Sequence, residues 1–225
     1  MTYSRKDVLE ATGQFTGLTI PVHIKLGSEQ VILSQPEMQE RLHRAEMIAV
    51  GNCLCREEEQ NCSSLLESCL ALNEEASRKI SEHGWRAIDR TEAMALLDET
   101  YRQGLVHMAY RRAGAEDDPV DATAVGFVCS CCSCCCKPLN GLRQFKYSDA
   151  ITRSAYVATL DLGKCIGCGT CVGRCLFGAY TLPEGTSKAS LDVDRCFGCG
   201  LCVETCPVGA IAFSSRESIA TAGEA

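Results

Sequence analysis

The sequence predicts an α+β protein: a mainly helical, cysteine-rich N-terminal domain with small β-hairpins, followed by a short domain built from a repeat. Three observations carry that expectation. Apolar residues recur at helical spacing behind capping residues in three stretches of the first half. Eighteen of the 225 residues are cysteine, far more than packing recruits. Residues 161–182 also align without gaps on 192–213 at an offset of 31, all four cysteines in register, which marks an internal duplication.

The elements follow in order. Residues 17–33 show β-branched alternation broken at Gly27-Ser28 and predict a hairpin. Ser34 and Glu37 form a capping-box pattern ahead of Met38, Leu42, Ala45 and Ala49, a helix ended by Gly51. Ser64 and Glu67 open a second helix with Leu65, Cys69, Leu72, Ala76 and Ile80 on one face, closed by Gly84. Asp89 and Glu92 open a third, ended by Gly104. Leu105 to Tyr110 and Val125 to Cys129 predict strands joined by an acidic loop over 113–124. The expected division is a metal-binding domain over 1–150, the repeat domain over 151–216 and a loose tail over 217–225.

So many cysteines imply disulfides or metal. Disulfide scaffolds are usually short and secreted, whereas residues 1–10 are polar and lack an apolar h-region. Adjacent pairs such as Cys131-Cys132 also suit separate bridges poorly. No apolar run approaches a membrane span, so a reducing, cytoplasmic setting is expected. The formal charge of −7 disfavours a nucleic-acid surface and suits docking to basic patches on protein partners. Aromatics are only 6%, so metal sites are expected to share the work of a large core.

Each repeat copy reads C-x2-C-x2-C-x3-C, with Cys165, Cys168, Cys171 and Cys175 in the first and Cys196, Cys199, Cys202 and Cys206 in the second. Three cysteines two apart on a tight loop can wrap one corner of a cubane, and the fourth reaches the other cluster. Zinc sites with four cysteines instead use paired C-x2-C knuckles. On these motifs, residues 156–216 resemble a bacterial two-cluster ferredoxin domain. The resemblance implies two [4Fe–4S] clusters, one on Cys165, Cys168, Cys171 and Cys206, the other on Cys196, Cys199, Cys202 and Cys175. One departure stands out: the family's proline after the fourth cysteine is Pro207 in the second copy but Leu176 in the first.

Ten cysteines remain upstream. They are Cys53, Cys55, Cys62 and Cys69, then Cys129, Cys131, Cys132, Cys134, Cys135 and Cys136 in the run CSCCSCCC. With GNCLCR, ESCL and GLVHMAY ahead of the repeat, the layout is similar to uncharacterised 4Fe–4S-binding proteins of anaerobes, which implies no particular reaction. Ten thiols can supply one or two further clusters, a larger cluster, or a cluster plus zinc. Neighbouring cysteines seldom ligate one iron, so some are spare or bound to different metals. Cys69 also reads as a small core residue.

Arg56 and Lys137 follow cysteines, where each could offset cluster charge or simply face solvent. His107 reads as a ligand, a proton relay or a satisfied buried histidine; His23, His43 and His83 carry no motif. No dinucleotide or phosphate-loop fingerprint occurs, and no catalytic residue is singled out. The expected role is a ferredoxin-like relay subunit or carrier passing low-potential electrons to or from a partner redox enzyme, alone or in a larger redox complex. A redox enzyme using CSCCSCCC as a catalytic cluster or thiol site, and an iron or oxygen sensor, are the alternatives.

Overall fold

The computed structural model describes residues 28–112, 125–145 and 151–218. Its first part runs β1 (Ser28–Leu33), α1 (Gln35–Arg44), β2 (Ile48–Asn52), α2 (Leu54–Glu59), β3 (Glu67–Leu72) and α3 (Asn73–His83). It continues with β4 (Arg86–Ile88), α4 (Arg90–Arg102), β5 (Val106–Arg112), β6 (Val125–Cys131), α5 (Lys137–Phe145) and β7 (Ile151–Thr152). These strands form one seven-stranded sheet in the order β4-β2-β3-β6-β5-β1-β7. Every pairing is antiparallel except β1 with β7.

The sheet, where only small hairpins were expected, is the main difference from the sequence reading. The first predicted helix stops at Arg44, and Ala49 belongs to β2. The second predicted helix begins only at Asn73, because Glu67–Leu72 is β3 and is buried from Ser68 onward. A strand covered on both faces loses the alternation that marks a half-buried one, and its apolar run then passes for a helix face. Of the predicted hairpin, residues 28–33 pair with β5, and residues 17–27 lie outside the described residues. So do the 113–124 loop and the tail beyond residue 218. The short run after the cysteines contains α5, which was not anticipated.

One face of the sheet packs Val50, Leu70, Leu72 and Val128 against Met38 and Leu42 of α1 and Ala93 and Leu97 of α4. Both helices start where their caps require. Ser34 N–H and hydroxyl donate to the Glu37 carboxylate at 2.7 and 2.6 Å, and Asp89 accepts from Glu92 N–H at 2.8 Å. On the opposite face, Ile32, Val106, Met108 and Cys131 meet Leu139 of α5. No described helix is long and apolar enough to cross a membrane.

The repeat forms a smaller unit. Strand β8 (Tyr156–Leu160) pairs with β11 (Ile211–Ser215), and β9 (Tyr180–Thr181) with β10 (Ser190–Leu191). Two short helices, α6 (Thr170–Arg174) and α7 (Leu201–Thr205), start at equivalent points of the two copies. Phe197 and Leu201 join the apolar cluster on the second sheet face. Around that contact, Glu37 also accepts from the Ser154 hydroxyl at 2.6 Å and Ala155 N–H at 3.1 Å. Arg174 donates to the carbonyls of Tyr101 and Arg102 at 3.4 and 3.1 Å. A carboxylate that caps α1 thus also ties the repeat to the sheet.

Two outcomes follow from this packing. Glu37→Ala should lose about 1–3 kcal/mol of unfolding free energy, because it strands several donors at once; an unchanged urea midpoint would show that the tie is idle. His107 is 2% exposed, with Nε2 3.0 Å from the Thr100 hydroxyl, and burial lowers its pKa from 6.5 to about 4. The unfolded chain therefore binds more protons between those values, and this part of the stability is lost as pH falls through that window. His107→Gln should flatten the dependence; identical profiles for variant and parent would refute it.

Candidate metal centres

A small cavity in the repeat is lined by Cys165, Cys168 and Cys171 of the first copy and Cys206 of the second. In the other half, the thiols that bear on half-buried Cys199 are those of Cys202, Cys175 and Cys196. The two short helices cause this exchange. Each carries its copy's last cysteine to its C-terminal end, away from the loop that holds the first two and the opening turn that holds the third.

The geometry fits iron–sulfur ligation on three counts. Cys175 Sγ accepts the Ala179 N–H at 3.3 Å and Cys206 Sγ accepts the Ala210 N–H at 3.2 Å, the same bond in both copies. Backbone donors of this kind offset negative charge on ligating sulfur. The ligand loops are pressed so close to neighbouring chain that a Cβ on Gly167 would lie 2.1 Å from Ser187 O, and one on Gly198 2.1 Å from Tyr156 O; both have positive φ. Finally, burial pushes the Cys202 thiol up to about 12, with the Tyr180 hydroxyl beside its sulfur. Burial there opposes a bare thiolate, so this cysteine stays a neutral thiol unless a metal replaces its proton.

Leu176 does not disturb this pattern. Its side chain packs in the apolar cluster between repeat and sheet, and its carbonyl accepts from Arg143 Nε at 3.1 Å. The equivalent Pro207 lines the cavity of the first site. The departure from proline therefore coincides with the face that docks on the sheet.

The ten upstream cysteines divide into two sets. Cys53 and Cys55 flank the start of α2, Cys69 lies on β3, Cys129 and Cys131 lie on β6, and Cys136 precedes α5. The register that pairs Leu70 with Val128 sets Cys69 beside Cys129. Neighbouring thiols then follow one another in the order Cys53, Cys69, Cys129, Cys131, Cys136 and Cys55, each acting on the titration of the next. Cys131 and Cys69 lower the Cys129 thiol, and Cys131 and Cys55 lower Cys136. The second set comprises Cys62, Cys132, Cys134 and Cys135, whose sulfurs all lie within 4.8 Å of one another.

Between the sets lies Arg56, 3% exposed. Its guanidinium donates to Leu65 O, to Ser68 Oγ at 2.8 Å and to Ser130 O at 2.9 Å, and Nε has no partner. The thiols of Cys53, Cys62 and Cys132 are its titratable neighbours. Of its two readings, solvent exposure is excluded. Lys137 is exposed and pairs with Glu58 at 2.5 Å. His107 sits against Thr100 of α4 and touches neither set; His43 and His83 are exposed, and His23 lies outside the described residues. The division into four and six was invisible in the sequence, because it depends on which strand lies beside β3.

Comparison with known proteins agrees with the repeat geometry: residues 158–213 match the family model of a 4Fe-4S dicluster domain. Among curated proteins none matches the chain. If the fourth cysteines are exchanged, Cys175→Ala should cost the second site about four iron and leave Cys165, Cys168, Cys171 and Cys206 fully ligated. Site-resolved Mössbauer or EPR spectra would report it; loss of the first centre with the second intact would contradict it.

Proposed function

From a chain whose residues 158–213 form a 4Fe-4S ferredoxin-type domain, we infer an electron-transfer protein with two [4Fe–4S] clusters in the repeat and one further iron–sulfur centre on the six-thiol set. Bound clusters supply one-electron chemistry; the chain's residues set their spacing, burial and hydrogen bonding. The observation that carries the reading is a single apolar cluster. It holds Cys129, Cys131 and Cys136 on the sheet side and Cys199 on the repeat side, with Leu139, Phe177 and Phe197 between them. The Phe177 and Phe197 rings lie 4.6 Å apart, and Arg153 covers Phe197 at 5.0 Å.

That arrangement gives the protein an inner and an outer end. Cys168 is exposed, and Ile166 and Val208 around the same cavity are exposed as well. A partner redox protein can approach there, while Cys131 and Cys136 are buried. We assign the outer end to exchange with a soluble donor or acceptor and the six-thiol set to the inner end of the relay.

Anaerobically purified protein should contain more than about eight iron per chain, the complement of two cubanes, with a third reducible signal. Cys69→Ser with Cys131→Ser should remove that signal and return iron to about eight. A parent protein already at eight iron, with only two reducible centres, would reduce the reading to an ordinary two-cluster domain on a folded support.

A further inference from the structure

We propose that Cys62, Cys132, Cys134 and Cys135 bind a single divalent ion in a closed tetrahedral site, separate from every iron–sulfur cluster. The argument begins with distance. Zinc–sulfur bonds of 2.3 Å at tetrahedral angles put ligand sulfurs about 3.8 Å apart. Here Cys62 Sγ is 3.9 Å from Cys132 Sγ and 3.8 Å from Cys135 Sγ, and Cys134 and Cys135 are 3.8 Å apart. Thiols that reach round a cubane must stand farther apart. Among the described residues no other group of three or more thiols closes within 4.8 Å, and the repeat cysteines keep the wider spacing.

Adjacent cysteines rarely share a metal, but the local turn removes the obstacle. Cys136 N–H donates to Cys132 O at 3.3 Å, folding residues 133–135 so that neighbouring sulfurs converge. The partner loop brings polar groups to these sulfurs: Ser64 lies beside Cys62, and the Asn61 backbone beside Cys135, where donors can offset thiolate charge. The Asn61 side-chain amide also donates to Cys134 O at 3.4 Å.

Charge provides the second, independent observation. Four thiolates and a divalent ion leave the site at −2. Arg56 lies beside it, buried, next to Cys132 and Cys62, with Nε unpartnered and no carboxylate within ion-pair distance among the described residues. An unpaired buried guanidinium is costly; a metal–tetrathiolate is the counter-charge that this side chain lacks. The ligands span the loop before β3 and the end of β6, so the ion staples them together and holds the turn from which Cys136 enters the six-thiol set. A closed site of four sulfurs favours zinc, with ferrous iron the competing occupant.

The proposal stands apart from the electron-transfer reading, and its test separates the two. In full-length protein, total metal should exceed acid-labile sulfide by about one ion per chain. X-ray absorption at the excess metal should show four sulfurs at about 2.3 Å and no neighbouring metal. Zinc at about one per chain, or iron exceeding sulfide by one, identifies the ion, and either supports the single-ion site. Cys62→Ser with Cys134→Ser should lose that ion and leave sulfide unchanged. Loss of iron and sulfide together, a metal–metal vector at the excess metal, or no metal beyond the sulfide-matched iron in the parent protein would overturn it. The parent-protein measurements decide even if the double variant does not fold.

Discussion

Arg56 carries a permanent positive charge at 3% exposure, surrounded by carbonyls, one serine hydroxyl and sulfur. Burying an uncompensated ion costs several kcal/mol, and three neutral acceptors do not offset that penalty. The groups near it that can become anionic are Cys53, Cys62 and Cys132. These come from both upstream thiol sets, so one cation lies beside both. The cysteine-rich half makes electrostatic sense when those sulfurs carry the negative charge of metal thiolates. It makes little sense as a conventional apolar core, in which a buried arginine would have been replaced by something cheaper.

The sheet gives that charge arrangement its geometry. Antiparallel pairing of β3 with β6 sets Cys69 beside Cys129, and alternation along β6 directs Cys129 and Cys131 to the same face. Helix α2 delivers Cys53 and Cys55 from one side, and the turn before α5 delivers Cys136 from the other. The same face receives Phe197 and Leu201 from the repeat. Ligand placement and docking thus use one surface, and the Glu37 carboxylate anchors its edge to Ser154 and Ala155. A change that loosens the dock would also disturb the surroundings of Cys131 and Cys199.

What could be read from the chain differs between the halves for a physical reason. In the repeat, three of the four ligands of each centre lie within a few residues of one another, and loop and helix geometry is set locally by Gly167, Gly198 and the short helices. Spacing alone therefore pointed to the chemistry, and the dicluster match covers that stretch. Upstream, a site is assembled from residues 70 or more apart, such as Cys62 and Cys132. No local period encodes that meeting. The segment Ser68-Cys69-Leu70-Ala71-Leu72 illustrates the difficulty: buried on both faces of the sheet, it shows no alternation, and its apolar residues fit a helix as well as a strand. Asp89, by contrast, was legible as a cap because its interaction with Glu92 spans three residues.

The central claim is that this chain holds metal in both halves, with the upstream thiols divided four and six around Arg56. Anomalous diffraction from crystals of the full-length protein, collected at the iron and zinc edges, tests it most directly. The account predicts two iron centres in the repeat, a third against Cys69, Cys129, Cys131 and Cys136, and one isolated metal peak among Cys62, Cys132, Cys134 and Cys135. Peaks confined to the repeat, with the ten upstream sulfurs free of metal, would contradict it.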